Sequence, residues 1–162
     1  MKIKWLIGLL ILGISSCQIF NINPEKDKSN GISIVSGQSF GMCIGKCTVI
    51  MQLTDTKVSL EAQERIFENN APLIKKYNYA DKISDSKSKE IYDALNLENI
   101  KKLDNKYGCP DCADGGTEWI EILENGESIK KIEFEYGKNI PEIEGLLELL
   151  REQRLALINK HL

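Results

Sequence analysis

The residues of this chain that could do chemistry are five cysteines, four of which form two closely spaced pairs. Cys43 and Cys47 have CxxxC spacing, and Cys109 and Cys112 have CxxC spacing within a turn-forming Gly-Cys-Pro-Asp-Cys segment. An even number of cysteines in an exported domain predicts disulfides first. We expect each motif to close on itself, which would stabilise its own loop more than the fold. Cross-linking of the two motifs is the alternative, and it would stabilise the fold by about 4 kcal/mol in the entropy model.

The same four thiols allow two further chemistries. Four thiolates would make a tetrahedral zinc site, although an oxidising compartment disfavours free thiols. A thiol–disulfide active site needs a helix N-terminus that lowers the pKa of its first cysteine. Here residues 113–116 and a strand follow the CxxC motif, and the nearby Asp111 and Asp114 would raise a thiol pKa. Zinc binding and redox chemistry therefore stay alternatives to structural disulfides.

Other chemistry-bearing residues are few. His161 is the only histidine and the penultimate residue, so we expect it in a frayed tail. Ser-His and Cys-His catalysis would both depend on it, and we predict no catalytic residue and no cofactor. Asp111, Asp114 and Glu118 are close in sequence but match no known cation-binding loop, so a solvated acidic turn is expected. Trp119 is expected in the core or on a hairpin face.

The N-terminus determines where these cysteines would be located. Residues 1–16 carry Lys2 and Lys4 near their start, continue with an apolar run too short to span a bilayer, and end in two serines. The serines and Cys17 resemble the bacterial lipobox, in which the cysteine is acylated and becomes the mature N-terminus. An ordinary cleaved signal with a chance cysteine is the alternative. Gln18 stands where an inner-membrane retention signal shows Asp, which favours the outer membrane facing the periplasm.

Composition limits the partners of the mature chain. Removal of residues 1–16 would leave 146 residues with 19 basic and 24 acidic side chains, enough for one domain with a core. This acidic balance excludes a nucleic-acid partner and disfavours a domain lying on anionic lipid. Residues 17–30 contain little to bury and predict a lipidated cysteine with a flexible tether. Membrane contact is thus expected through the lipid anchor, and an envelope protein or glycan is the expected partner.

Residues 31–162 predict one α+β domain, an antiparallel sheet of four to six strands with a central and a C-terminal helix packed on one face. Apolar alternation and turn residues predict strands over 31–36, 47–54, 57–65, 77–83 and a hairpin within 117–136. Helical spacing predicts helices over 84–96, capped by Ser84 and continuing towards residue 103, and over 140–159, with Pro141 at the first position. Residues 69–72 (Asn-Asn-Ala-Pro) predict a break.

The late hairpin turns at Asn125-Gly126, and its register follows from burial. A two-residue turn would split the apolar residues between faces, whereas a three-residue loop over 124–126 would collect them on one. We therefore predict the three-residue loop, as a type I turn with a bulge in which Gly126 takes the left-handed conformation. The apolar residues that would share one face are Ile120, Ile122, Ile132, Phe134 and Tyr136.

The segment from Phe40 to Cys47 resembles an uncharacterised family of bacterial envelope domains that carry Cys-Phe-Gly-x-Cys-Pro before a strand. Ile44 stands in place of the family's Phe and Thr48 in place of its Pro. The order of predicted elements from residue 43 to 158 is similar, and residues 108–116 look like a feature of a subset of such lipoproteins. The resemblance implies an envelope location and this fold, but no catalytic residues.

Two function classes follow. The first is a lipid-anchored, non-catalytic binding or structural module whose loops are stapled by disulfides. The second is a metal-binding or thiol–disulfide redox protein that uses Cys43, Cys47, Cys109 and Cys112. The state of the thiols distinguishes them, because permanently oxidised cysteines favour the first class and zinc or a reducible low-pKa thiol favours the second.

Overall fold

The computed structural model describes residues 31–69 and 71–162. The predicted signal, the lipidated Cys17 and the tether lie outside these residues. The strands are β1 (Ile32–Ser39), β2 (Thr48–Thr54), β3 (Lys57–Glu68), β4 (Ala71–Lys82), β5 (Lys106–Tyr107), β6 (Thr117–Glu124) and β7 (Glu127–Glu135). The helices are α1 (Asp85–Ala94), α2 (Leu97–Ile100) and α3 (Glu144–His161), and short 3-10 turns cover Cys112–Asp114 and Pro141–Ile143.

The strands form one seven-stranded sheet in the order β4-β3-β2-β1-β6-β7-β5. Neighbouring strands are antiparallel except β5 and β7, which pair in parallel. The α+β prediction holds at this level, but the prediction of a purely antiparallel sheet of four to six strands is wrong. The additional strand, β5, has two residues, which is too short for any alternation to be visible in the sequence.

Alternation along the strands separates a covered face of the sheet from an open face. Most inward positions are apolar, and α1 and α3 pack over them, so the predicted arrangement of helices on one face is observed. Ser84 caps α1 as predicted, accepting a hydrogen bond from the backbone N–H of Lys87 at 3.2 Å. The core includes Ile34, Met51, Leu53, Leu60, Ile91, Ile120, Ile122, Ile132, Phe134, Leu146, Leu147, Leu150 and Leu157.

The β3–β4 hairpin is longer than predicted. The two strands have 12 residues each, and Pro72 lies within β4, although a break in secondary structure was predicted at this residue. Proline is tolerated there because β4 is an edge strand. Pairing between β2 and β3 stops at Gln63, so within the described residues the segments 64–68 and 71–75 pair only with each other. We call these two segments the arm.

The β6–β7 hairpin turns at the predicted residues by a different route. Asn125 and Gly126 have φ values of 53° and 87°, which makes a two-residue type I′ turn, so the predicted three-residue loop is wrong. A bulge follows, because Ile122 pairs with Lys130 while Leu123 pairs with Ser128. The intervening Ile129 has no cross-strand partner among the described residues. This bulge restores the predicted burial of Ile120, Ile122, Ile132 and Phe134 on one face. Tyr136, which follows β7, is 44% exposed.

The C-terminal helix reaches the end of the chain. Pro141 begins the 3-10 turn that leads into α3, and the α-helix itself starts at Glu144, three residues after the predicted first position. His161 lies in the last turn of α3, with its ring stacked on Tyr79 of β4 at 4.8 Å between centroids. The expectation of a frayed histidine is therefore wrong, because the end of α3 docks against the edge strand.

Candidate binding site at the loop end of the sheet

A row of polar side chains crosses four neighbouring strands where the β1–β2 loop begins. Thr117, Ser39, Thr48 and Gln63 are successive cross-strand partners on β6, β1, β2 and β3. Ser39 Oγ and Thr48 Oγ1 are 2.8 Å apart and share a hydrogen bond. The row is on the open face of the sheet, and it forms the floor of a cavity of about 200 Å³.

Three segments from distant parts of the chain form the walls of this cavity, which we call the loop-end groove. The Cys43–Cys47 loop stands on one side, and Arg65 and Ile74, which are cross-strand partners in the arm, stand on another. Asp111 closes the groove from the second cysteine segment. A Cβ atom at Gly41 would lie 3.2 Å from Oδ2 of Asp111, so the two cysteine segments approach closely at this point.

The two cysteine motifs each bring their own pair together. The Cα atoms are 5.7 Å apart for Cys43 and Cys47 and 5.4 Å apart for Cys109 and Cys112, distances compatible with disulfides. These are the pairs that local closure requires. The first loop is also closed at its base, since the Phe40 N–H donates to the Cys47 carbonyl at 3.2 Å.

The second cysteine segment is compact and surrounded by carboxylates. Asp111, Ala113 and Asp114 all have positive φ, a conformation that is uncommon outside glycine. The Cys109 N–H donates to Oε1 of Glu135 at 2.8 Å, and the two cysteines line a cavity together with Glu135 and Tyr136. Only a three-residue 3-10 turn follows Cys109, so the segment lacks the helix that activates the first thiol of redox motifs.

The acidic residues of this region do not share a site. Asp111 faces Gly41 across the groove, whereas Glu118 is buried on the covered face. Among residues 31–69 and 71–162, no three His, Cys, Asp or Glu side chains are grouped so that they could hold a metal ion.

Glu118 belongs to a buried ionic cluster that the sequence analysis missed. Arg151 donates from Nε to both carboxylate oxygens at 3.0 and 3.1 Å and from Nη2 to Oε2 at 2.8 Å. Arg154, also buried, donates to Glu118, to Ser36 and to Gln38. Burial raises the pKa of the Glu118 carboxyl, but hydrogen bonds from Arg151 and Arg154 outweigh it and leave the pKa lowered.

Two sequence signals could have indicated this cluster. Glu118 alternates with the core residues Ile120 and Ile122, so it occupies an inward position of β6. Arg154 stands four residues after Leu150 and three before Leu157, within the apolar stripe of α3. A charge at each of two core-facing positions indicates a buried ion pair, although the sequence alone does not show that they meet.

Exposed apolar side chains lie at the loop end of the sheet, on the first cysteine loop and on the arm. Ile44 is fully exposed at the tip of the first cysteine loop, and Phe67 is 73% exposed on the arm. Monomeric soluble proteins rarely present a large contiguous apolar surface without a function. We call the following exposed residues the loop-end patch: Met42, Ile44, Phe67, Leu73 and Ile74.

Comparisons of the chain with family models, with curated proteins and with solved structures find no match. The resemblance to envelope lipoprotein domains therefore stays a prediction. None of the helices described is long and apolar enough to cross a membrane.

Proposed function

We propose that this protein is a lipid-anchored envelope domain that binds a partner through the loop-end groove and the loop-end patch. Cys17 carries the lipid, at the outer membrane facing the periplasm, and disulfides in the two cysteine segments hold the binding loops. The observation that carries the proposal is that exposed apolar side chains and both cysteine segments gather at one end of the sheet.

The position of Gly31 supports this arrangement. Its carbonyl accepts a hydrogen bond from the N–H of Asn125 at 2.8 Å, at the end of the sheet where β6 and β7 turn. The β1–β2 loop lies eight residues of strand away, about 25 Å at the usual rise per residue. A tether that joins the domain at Gly31 therefore leaves the loop-end patch on the far side from its attachment point.

The alternative is a metal-binding or thiol–disulfide redox protein. The observation in its favour is the exposure of Cys109 and Cys112, which would let a small reductant or partner thiol reach them. Against redox catalysis, the neighbouring Glu135 carboxylate disfavours a thiolate, which is the reactive form.

Mass spectrometry of the exported protein tests the anchor and the thiols together. We expect the N-terminal peptide to begin at Cys17 with acyl chains attached. We also expect the unreduced protein to be four hydrogens lighter than its fully reduced form, with peptides linking Cys43 to Cys47 and Cys109 to Cys112. An unmodified Cys17 would refute the anchor, and free thiols with about one zinc per chain would support the alternative.

Site-specific photocross-linking tests the binding face. A benzophenone amino acid at Ile44, in the full chain within its native envelope, should form a defined adduct with a protein or glycan. The matched control position is Ser128, which is exposed at the opposite end of the sheet. Equal labelling from both positions, or no adduct from Ile44, would contradict the proposal.

A further inference from the structure

We infer that the arm is a docking element that enters an apolar cleft of a partner protein, and that the walls of this cleft contact both faces of the arm. The inference rests on the proposed binding function and names the partner's chemistry. Ile66 pairs with Leu73, and Phe67 pairs with Pro72, so apolar pairs occupy two consecutive cross-strand positions.

These residues point to opposite sides of the arm. Successive side chains of a strand alternate between faces, so Leu73 lies on one face with its partner Ile66, while Phe67 and Ile74 lie on the other. Leu73 and Ile74 are each 47% exposed. A partner that covered one face would leave the other apolar face in water. Burial of all these apolar residues, which we call the apolar belt, therefore needs a partner surface on each side of the arm.

The arm also lacks support from the rest of the sheet. Within the described residues, β2 does not pair beyond Gln63, and β4 is an edge strand along its whole length. A two-stranded hairpin alone is marginally stable in water, so a covering partner would stabilise this one. The unpaired edges of the arm also present backbone hydrogen-bond donors and acceptors. An extended segment of the partner that lined the cleft could pair with them.

Polar residues lie at both ends of the apolar belt, and they indicate how deep the partner's cleft is and which charges line it. Glu68 and Asn69 form the tip, whereas Arg65 and Lys75 stand near the base. The apolar residues cover positions 66–67 of β3 and 72–74 of β4, and the longer of these two runs is about 10 Å along its strand. The matching cleft is apolar at its centre, with basic groups where it meets Glu68 and acidic groups where it meets Arg65 and Lys75.

The same polar tip disfavours a membrane as the occupant. Insertion into a bilayer would take the Glu68 carboxylate and the Asn69 amide into hydrocarbon before any apolar side chain. The arm also points away from the end of the sheet at which the predicted tether joins the domain, at Gly31. Both observations favour a protein cleft over lipid.

The test places the photoreactive residue separately at Phe67 and at Leu73, on opposite faces of the arm, in the full chain within its native envelope. We expect adducts of the same mass from both positions, with cross-linked peptides from two apolar segments of one protein. In a second experiment the probe stays at Ile44 and the chain carries Phe67→Ser with Leu73→Ser. The Ile44 adduct should then fall at least tenfold, because buried apolar anchors dominate binding at interfaces.

Leu155→Ser is the matched control, since Leu155 is an exposed leucine on α3, outside the loop-end patch. It should leave the Ile44 adduct unchanged, and neither variant should shift the thermal midpoint by more than about 2 °C. Adducts with lipid or with a second copy of the chain would overturn the inference, as would labelling from one face alone. An Ile44 adduct that survives the double substitution would reject the arm but keep the binding function. The absence of every adduct would reject both.

Discussion

The Glu118 carboxylate is buried with Arg151 and Arg154, and the loss of its charge should be costly. Glu118→Gln keeps the size of the side chain but leaves two guanidinium groups without their anion. Removal of one partner from a buried ion pair typically costs 3–5 kcal/mol. We expect the free energy of unfolding, measured by urea denaturation at pH 7, to fall by about 3 kcal/mol.

Glu121→Gln is the control for this prediction. Glu121 lies on the same strand but on the open face, where it is partly exposed. Its substitution should change the free energy of unfolding by less than about 0.5 kcal/mol. Similar effects of the two variants would contradict the view that Glu118 is held by its buried charge.

Gly37 shows how a glycine can lie within a strand. The sequence predicted a first strand that ends at residue 36, but β1 continues to Ser39 and the Trp119 ring packs directly on Gly37. A Cβ atom there would lie 2.1 Å from Cζ2 of Trp119. Gly37→Ala should therefore lower the free energy of unfolding by about 2 kcal/mol, the usual cost of overpacking.

The companion variant Trp119→Ala separates this contact from backbone effects. If the ring causes the strain, Gly37→Ala should cost much less in a Trp119→Ala background, as a double-mutant cycle by urea denaturation would show. Gly145→Ala on α3 is the second control, because a Cβ atom there meets no described atom within 4 Å. It should stabilise the protein by up to about 1 kcal/mol. Additive effects at Gly37 and Trp119 would contradict the account.

At the scale of elements, the β6–β7 bulge sets which residues face the core. Deletion of Ile129 would remove the extra residue and let the register of the turn continue along the hairpin. Ile132 would stay opposite Ile120 and Phe134 opposite Glu118, because the deletion removes only the bulged residue and leaves a regular ladder. We expect the deletion variant to keep the cooperative thermal unfolding and the near-ultraviolet circular dichroism of the folded protein.

Ile129→Ala keeps the chain length and so provides the comparison. Ile129 is partly buried against the core, and its truncation should cost about 1–2 kcal/mol while cooperative unfolding persists. A deletion variant that lost cooperative unfolding while Ile129→Ala kept it would contradict this account of the register.

The same hairpin shows how far the sequence determines an element. Because the apolar residues must share one buried face, the sequence correctly placed Ile120 and Ile132 together. It did not show that the extra residue is Ile129, since a longer turn and a bulge bury the same side chains. Pro72 misled for a different reason, because its effect depends on whether the strand is at an edge of the sheet. Strand order is a property of the assembled sheet, and no local pattern encodes it.

The loop-end groove has the same limitation. Both cysteine motifs were recognisable from their spacing, and local closure of each pair was the expected arrangement. Their approach to each other and to Arg65 depends on the strand order, because β6, β1, β2 and β3 must be neighbours for the polar row to form. The chemistry of a site can therefore be proposed from its residue types, whereas the sheet topology must be known to say which residues meet there.

At the scale of the whole molecule, two carboxyl groups join α3 to the sheet. Glu118 binds the middle of the helix through Arg151 and Arg154, and Asp81 on β4 binds its end through Lys160. The hydrogen bond from Lys160, with a second from the Lys82 N–H, lowers the pKa of Asp81 to about 2. Both acids are therefore more acidic in the folded protein than in the unfolded chain.

This difference gives the pH dependence of stability its direction. A carboxyl group with a lowered folded pKa stabilises the fold above its unfolded pKa, about 4 for these residues, and that contribution disappears as the pH falls through the folded value. The free energy of unfolding should be nearly constant from pH 7 to 6 and should decrease between about pH 5 and 2.

Lys160→Met removes the main partner of Asp81, so the decrease below pH 4 should be shallower in urea titrations of this variant. Lys89→Met, which removes an exposed lysine paired with Asp93 within α1, should retain the steeper profile. A Lys160→Met profile that coincides with that of Lys89→Met would mean that the end of α3 does not depend on Asp81.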